Sequence, residues 1–438
     1  YFSKGNRFIQ LSNYRFTRYS SKENGGLYDD TGFEDNFTDK LYIPMNLLNA
    51  SNTVRAHELS FENYFRVSKA DSISKDEGVY LFGTAKLRDS KQIYSDSNAD
   101  SIYYLPFTIN EGSSIYDSLH YQTFSWNVGW QNYSPLHASR RVLASVFGGY
   151  EFNRFSQNNL ENQIHTGLIS MRLSTNPKKK LIADYSVQYY FLGYRSNNIT
   201  MNISLGSRVD SLQETKLWFS GYYNLANPNY SYYLYSSDPL VTNLNKIRTI
   251  NLGLNFSNDK LKNKISVNYS SLKNVVYLDS LYRVTQYTER TGLLKASVRQ
   301  HLSLKKIHLS IQLLYQKVLG EDVFRVPEFV TFNSLYFESH LFKRATLMRM
   351  GVDFYYNTAY YGNGYLPMYR SFYLQNEKQI GNYPYIDVFI TAQIKKARVY
   401  AKVSHVNSGL SGNTYYSSLH YPMADRMLRL GVDWTFWD

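Results

Sequence analysis

The side chains most able to do chemistry in this chain are its nine histidines, His57, His120, His137, His165, His301, His308, His340, His405 and His420. No two stand at the H-x-x-x-H spacing that would put both on one metal. Read singly, they are polar groups of strand interiors or loops. Asp96-Ser-Asn98-Ala-Asp100 copies the first three ligand positions of an EF-hand loop. Ser101 stands where the loop needs glycine and Phe107 where it needs a bidentate glutamate, so the segment reads as a solvated turn. The acidic run Asp29, Asp30, Glu34, Asp35 and Asp39 could hold a divalent ion or bridge lipopolysaccharide cations; its plainer reading is a soluble external loop. No G-x-S-x-G elbow is present. The sequence therefore assigns no catalytic, cofactor or metal residue, and the chain is not expected to be an enzyme.

The charges on one face of the alternating segments are more informative. They are Arg172, Arg208, Lys264, Lys295, Arg299, Arg349, Arg398, Lys402 and Arg429 against Glu151, Asp184, Glu338, Asp353, Asp387 and Asp433. Nine basic against six acidic groups is a slight positive excess. Rings of Arg and Lys in a pore favour anions. The same charges would also satisfy one another across neighbouring strands inside a plugged barrel, and the pattern fits both readings.

These residues need elements that alternate with period two, which in a membrane-spanning strand turns apolar residues to lipid and polar ones to the lumen. The last segment does so: Leu428, Leu430, Val432, Trp434 and Phe436 oppose Arg429, Gly431, Asp433 and Thr435. Leu181, Ala183, Tyr185, Val187, Tyr189 and Phe191 oppose Asp184, Ser186 and Gln188 in the same way. Arg349-Met-Gly-Val-Asp-Phe even echoes Arg429-Leu-Gly-Val-Asp-Trp. Such segments predict strands near 5–19, 54–68, 77–89, 120–131, 140–154, 161–174, 180–194, 198–208 and 214–224. They continue near 246–257, 262–277, 283–302, 305–317, 329–342, 346–357, 384–395, 397–407 and 427–437. The expected fold is all-β, a single transmembrane antiparallel up-and-down β-barrel over 1–438 with about eighteen strands, in a range of roughly sixteen to twenty.

Composition agrees. Among 438 residues, 43 Tyr, 25 Phe and 5 Trp make the chain 17% aromatic, yet mean hydropathy is −0.43. Aromatic girdles around a polar lumen give that pairing. The chain has no cysteine, which excludes disulfides and thiolate metal sites. No apolar run approaches the ~20 residues of a spanning helix. Net charge is +13, but Lys and Arg are scattered, with Lys178-Lys179-Lys180 the longest cluster, so nucleic acid is not an expected partner. The chain opens at Tyr1 without an apolar leader, consistent with a removed signal peptide or a trimmed N-terminus.

Connection lengths test the topology independently, because outer-membrane barrels put long loops outside and short turns in the periplasm. Taking 20–53 as external makes 90–119, 225–245, 358–383 and 408–426 external too. The opposite set is short: Asn176-Pro177-Lys178, Asn258-Asp259-Lys260, Lys343-Arg344 and Lys395-Lys396. A soluble sandwich or propeller gives no reason for this sorting.

The segment from Asn13 to Gly26, followed by Asp29-Asp-Thr-Gly-Phe33, resembles the interior of the putative-porin family of Bacteroidota. So does the stretch from Tyr421-Pro-Met-Ala-Asp-Arg426 to Phe436-Trp-Asp438. The resemblance implies an outer-membrane barrel, supplies no catalytic residues, and implies further strands ahead of Asn13, since members are usually longer there.

Two functions follow. One is a porin-like passive diffusion channel for small polar solutes with a weak preference for anions. The other is a non-catalytic accessory subunit of an outer-membrane secretion or barrel-assembly complex, with Asn227–Tyr235 and Tyr355–Tyr365 offering the rigid amphipathic side chains that interfaces favour. Expected partners are outer-membrane lipid, lipopolysaccharide and other outer-membrane proteins. A TonB-dependent transporter, with 22 strands and a plug, exceeds this length.

Overall fold

The computed structural model describes residues 2–4, 7–35, 39–68, 78–104, 112–135, 140–157, 160–175, 180–209, 214–235, 244–410 and 412–435. Phe107, His137, Asn176 to Lys179 and Phe436 to Asp438, among the residues singled out above, lie outside them.

Period-two alternation becomes eighteen long strands: β1 (Phe8–Glu23), β2 (Ala50–Arg66), β3 (Tyr80–Asp96), β4 (Ile115–Gln131), β5 (Val142–Gln157) and β6 (Leu160–Thr175). Then come β7 (Leu181–Gly193), β8 (Asn198–Arg208), β9 (Thr215–Ala226), β10 (Ile247–Asn258), β11 (Asn263–Leu278) and β12 (Val284–Leu304). The last six are β13 (Ile307–Leu319), β14 (Phe329–Leu341), β15 (Thr346–Asn357), β16 (Tyr385–Ile394), β17 (Ala397–Ser404) and β18 (Met427–Trp434). Each pairs antiparallel with its sequence neighbour, an up-and-down sheet throughout. The first four strands run several residues further toward the loops than expected. There the outward residues Ser20, Lys22, Ser51, Thr53, Lys91 and Ser95 are polar, so alternation fades while the backbone ladder continues.

Cross-strand register aligns the apolar set. Leu205, Phe219, Leu254, Val267, Ala296 and Tyr315 form one unbroken row over β8 to β13. Leu254 in its middle is 62% exposed. A soluble protein would not leave so long an apolar band in water, so this face is built for an apolar solvent.

The sheet is curled, and two bridges demonstrate it. Between β15 and β16 the chain makes a short hairpin, Gly364–Leu366 with Ser371–Tyr373. Pro367 accepts a hydrogen bond from Asn52 of β2 at 3.2 Å, and Tyr373 pairs with Leu278 of β11. Those strands are nine apart in the ladder, about 43 Å if the sheet were flat; the hairpin crosses the interior as a chord. Likewise the connections after β1 and β17, at opposite ends of the ladder, touch where Leu27 N–H donates to His420 O at 2.8 Å. Gly26 permits this approach: its φ is +82° and a Cβ there would lie 2.9 Å from His420 Cβ.

The expected closure is not seen as a ladder. Among the described residues β18 pairs with β17 alone, and the outer edge of β1 is taken at Phe8–Gln10 by Phe2–Lys4.

Loop lengths sort by end. All five long connections, 24–49, 97–114, 227–246, 358–384 and 405–426, leave the same end of the sheet. The other end carries shorter turns, the longest being 67–79.

Candidate functional site

The inner face is assembled by register, and every charge assigned to it from sequence lies on it. Among the described residues they make five ion pairs. Arg172 meets Asp184 at 2.7 Å, Arg349 meets Glu338 at 2.5 Å, and Glu151 reaches Arg195 of the β7–β8 turn at 3.4 Å. Asp353 and Asp387 stand directly opposite in the ladder; Lys402 from the next strand bridges them at 3.2 and 2.7 Å. Like carboxylates side by side need that cation.

Lys264 and Arg299 behave differently. They face one another across β11 and β12 with Lys295 on the same face, and among the described residues none of the three has an ion pair. Arg398 lies opposite Asp433, and Lys402 opposite Arg429. Arg208 closes β8 at the turn end. The two readings left open by sequence thus occupy different sectors: compensated charge over β6–β7 and β14–β17, uncompensated cations over β11–β12.

At the loop end the long connections have folded together. Leu27, Phe33, Ile43, Ile380, Tyr383, Tyr415 and Tyr416, drawn from three connections, form one buried cluster. Leu47, Ala50, Tyr94, Ala99 and Tyr104 form another. Ion pairs tie them. Lys378 holds Asp30 at 2.5 Å and also Glu34, with its ammonium 4.0 Å above the Tyr416 ring. Lys40 binds Asp425 at 2.6 Å and donates to Tyr415 Oη at 2.9 Å. His420 places Nδ1 3.2 Å from Asp30 and Nε2 3.2 Å from Glu377. The Asp30 carboxylate beside it raises the His420 pKa, with burial opposing. Burial alone would raise the Asp30 carboxyl, but His420 and Lys378 hold it below its usual range.

This cap corrects two expectations. The acidic run is no solvated loop at Asp30 and Glu34, whose carboxylates anchor Lys378. Nor is the Asp96 turn solvated at its first residue: Asp96 is 2% exposed and accepts from Tyr104 Oη at 2.9 Å, while Ser97 and Asn98 are exposed. A buried tyrosine supplies the partner a calcium ion would have supplied, and among the described residues no His, Asp and Glu group forms a metal cluster. The histidines divide three ways. His57, His120 and His165 face outward on β2, β4 and β6, where His57 accepts or donates with Tyr14 and His120 contacts Asp89 at 2.7 Å. Their register parity, opposite to the inner charges, explains the departure from an interior position. His301 and His308 stack on the inner face with Tyr336. His405 is wholly buried under the cap beside Tyr383 and Tyr385.

Beneath the cap lies a cavity of about 900 Å³ against the loop-end halves of β1 to β9. Sequence reasoning missed it, because its wall is completed by Tyr365 and Arg370 of the chord and by residues 227–231. The Asn- and Tyr-rich composition of 227–235 was the only signal.

A family model described as putative porin matches residues 1–438. The chain belongs to the putative-porin family. Among curated proteins no match is found. Solved structures similar to it include a variant of the ferric enterobactin receptor from Pseudomonas aeruginosa, at TM-score 0.63 and 12% identity over 97% of this chain and 67% of that one. The siderophore receptor PirA from Acinetobacter baumannii matches at TM-score 0.57 and 9% identity over 97% and 78%. BauA, the ferric preacinetobactin receptor from Acinetobacter baumannii, matches at 0.57 and 10% over 98% and 70%. At such identities the likeness is one of fold. Family and neighbours together mark an outer-membrane barrel protein and point to an outer-membrane location.

Proposed function

We propose that this porin-family chain is a non-catalytic diffusion channel for small polar solutes, selecting weakly for anions, with the folded loop end as its constriction. The observation that supports it best is the inner face, which carries Lys264, Lys295 and Arg299 without ion-pair partners among the described residues, in a sector away from the apolar cluster of Ile9, Tyr64, Tyr80 and Phe82 at the turn end of β1 to β3. Oriented cations along a polar passage attract anions and repel cations. Entry at the turn end is biased the same way, since its hairpins carry Lys260 and Lys262, Lys305 and Lys306, Lys343 and Arg344, and Lys395 and Lys396. The exposed apolar band faces lipid in this reading, with the five long connections at the outer surface.

Recordings of the purified protein in planar bilayers test it. Discrete conductance steps with a reversal potential shifted toward the anion equilibrium are expected; a folded protein that gives no steps overturns the proposal.

A further inference from the structure

The capped cavity has the chemistry of a binding site rather than of a plain passage. Its volume, about 900 Å³, falls inside the ~300–1,000 Å³ range of small-molecule sites. One side is an aromatic surface in continuous contact. Tyr121 lies 4.7 Å from Phe155, Phe155 lies 4.9 Å from Tyr230, and Tyr230 meets Tyr194 edge to face at 5.5 Å. The lining is also rich in amides, among them Asn52, Asn224, Asn227 and Asn229.

Charge and hydrogen-bonding capacity narrow the ligand. Two of the three arginines at the cavity have a carboxylate partner, Arg370 with Asp117 at 3.3 Å and Arg195 with Glu151 at 3.4 Å; Arg88 lies over the Tyr121 ring while its ladder neighbour Glu58 pairs with Lys86, and Glu23 adds a carboxylate to the wall. A multiply charged anion would find little net attraction there. Buried donors and acceptors are both left without a protein partner: Arg370 Nε and Nη1 on one hand, Asn52 Oδ1 and Asn227 Oδ1 on the other. The orientation of Asn52 is fixed, since its Nδ2 donates to Glu23 at 2.9 Å and to Pro367 O at 3.2 Å. An anion only accepts, and would leave the Asn52 oxygen unsatisfied. A hydroxyl both donates and accepts, and a sugar ring adds an apolar face that lies flat on tyrosine.

We propose that this cavity binds a neutral oligosaccharide of a few residues, its rings stacked on Tyr194 and Tyr230 and its hydroxyls bridging Arg370 to Asn52 and Asn227. As a statement of what is carried, it rests on the channel reading; as a statement of binding, it does not.

Calorimetry of the detergent-solubilised full chain with maltotetraose, chitotetraose and xylotetraose tests the proposal, with a ferric tris-catecholate chelate as the charged probe. At least one tetrasaccharide should bind while the chelate does not. Tyr194→Ala and Tyr230→Ala, which alter two separate connections rather than the strands, should each weaken binding roughly tenfold or more with circular dichroism unchanged, and Tyr230→Phe should retain it. Absence of binding by all three sugars, binding untouched by both alanine variants, or binding of the chelate instead overturns the proposal. Sugar binding without conductance steps would sink the channel reading alone. Conductance without sugar binding would sink this one alone.

Discussion

At one end of this sheet, connections of very different sequence from distant strands have folded onto one another; at the other, the described turns touch only adjacent strands and turns, as where Asp259 N–H donates to Glu214 O at 3.0 Å. The same eighteen strands supply both ends, so the strands do not make the difference. Length does, together with what the length contains. The loop-end connections carry aromatic residues with polar tips, which bury a ring and still satisfy a hydroxyl, as in Tyr415 between Lys40, Ser408 and Asp425. The turn-end connections carry lysine and arginine, which keep their heads in water and repel their neighbours. Contacts that cross the sheet at one end and only local ones at the other follow from those side chains.

Removing the chord should erase the contrast most. Replacing residues 359–381 by a short Gly-Ser turn takes away the contacts to β2, β4 and β11. Single-channel conductance should rise at least about twofold, since a constriction at the mouth is lost; an unchanged step size would show that the cap does not limit the path.

Lys402→Met comes next. It leaves Asp353 and Asp387 face to face, with Asp387 only 5% exposed on its side chain. Unfolding in detergent should show a loss of about 2–3 kcal/mol, part of which Asp353→Asn in the same chain restores. A loss confined to the single variant, with no recovery in the double, would mean that packing of the lysine stem matters more than its charge.

Converting Lys264 and Arg299 together to glutamine should leave stability within about 0.5 kcal/mol and roughly halve the anion preference read from reversal potentials. No shift would place the selecting charges elsewhere, at the turn-end lysines first.

The smallest effect is on pH. His420 has a raised pKa, so its contribution to the cap is complete below its unfolded value of about 6.5 and fades as pH rises through the folded value. Asp30 has a lowered one, so its contribution is complete above about 3.8 and fades as pH falls through the folded value. The charged groups facing His420 are Asp30, Glu377 and Lys378, and all act in this window. Hydrogen-exchange protection factors in 24–35 and 412–426, corrected for the intrinsic pH dependence of exchange, should therefore be greatest between these limits and fall at alkaline pH, and His420→Gln should remove the alkaline fall. Protection independent of pH would show that the apolar clusters hold the cap alone.

Much of the wall was legible because the signal is local. A spanning strand shows its two solvents residue by residue, so Leu428 to Trp434 or Met348 to Phe354 reveals strand, face and charge position without knowledge of any neighbour. The interior assignment of all fifteen charges needed only that parity, and the strand count needed only that each alternating run be separate. Alternation failed where its cause disappeared. Beyond the apolar band both faces of β1 to β4 are polar, and the strands outran their predicted ends.

Partnership was not legible. Arg370 is 253 positions from Asp117, and Lys378 is 348 from Asp30; neither pair has a spacing that marks it. The sequence by itself determined which residues lie in the strands, which way they point and which end carries the long connections, because those depend on short-range periodicity and on the solvent each face meets. Only the tertiary structure decided that the sheet curls enough for a chord to cross it, that Asp30 is half-buried in ion pairs and Asp96 buried, and that a cavity with unmet donors and acceptors lies beneath the cap. Those outcomes depend on the curl of eighteen paired strands, which brings the connections of the first and last strands to the same place.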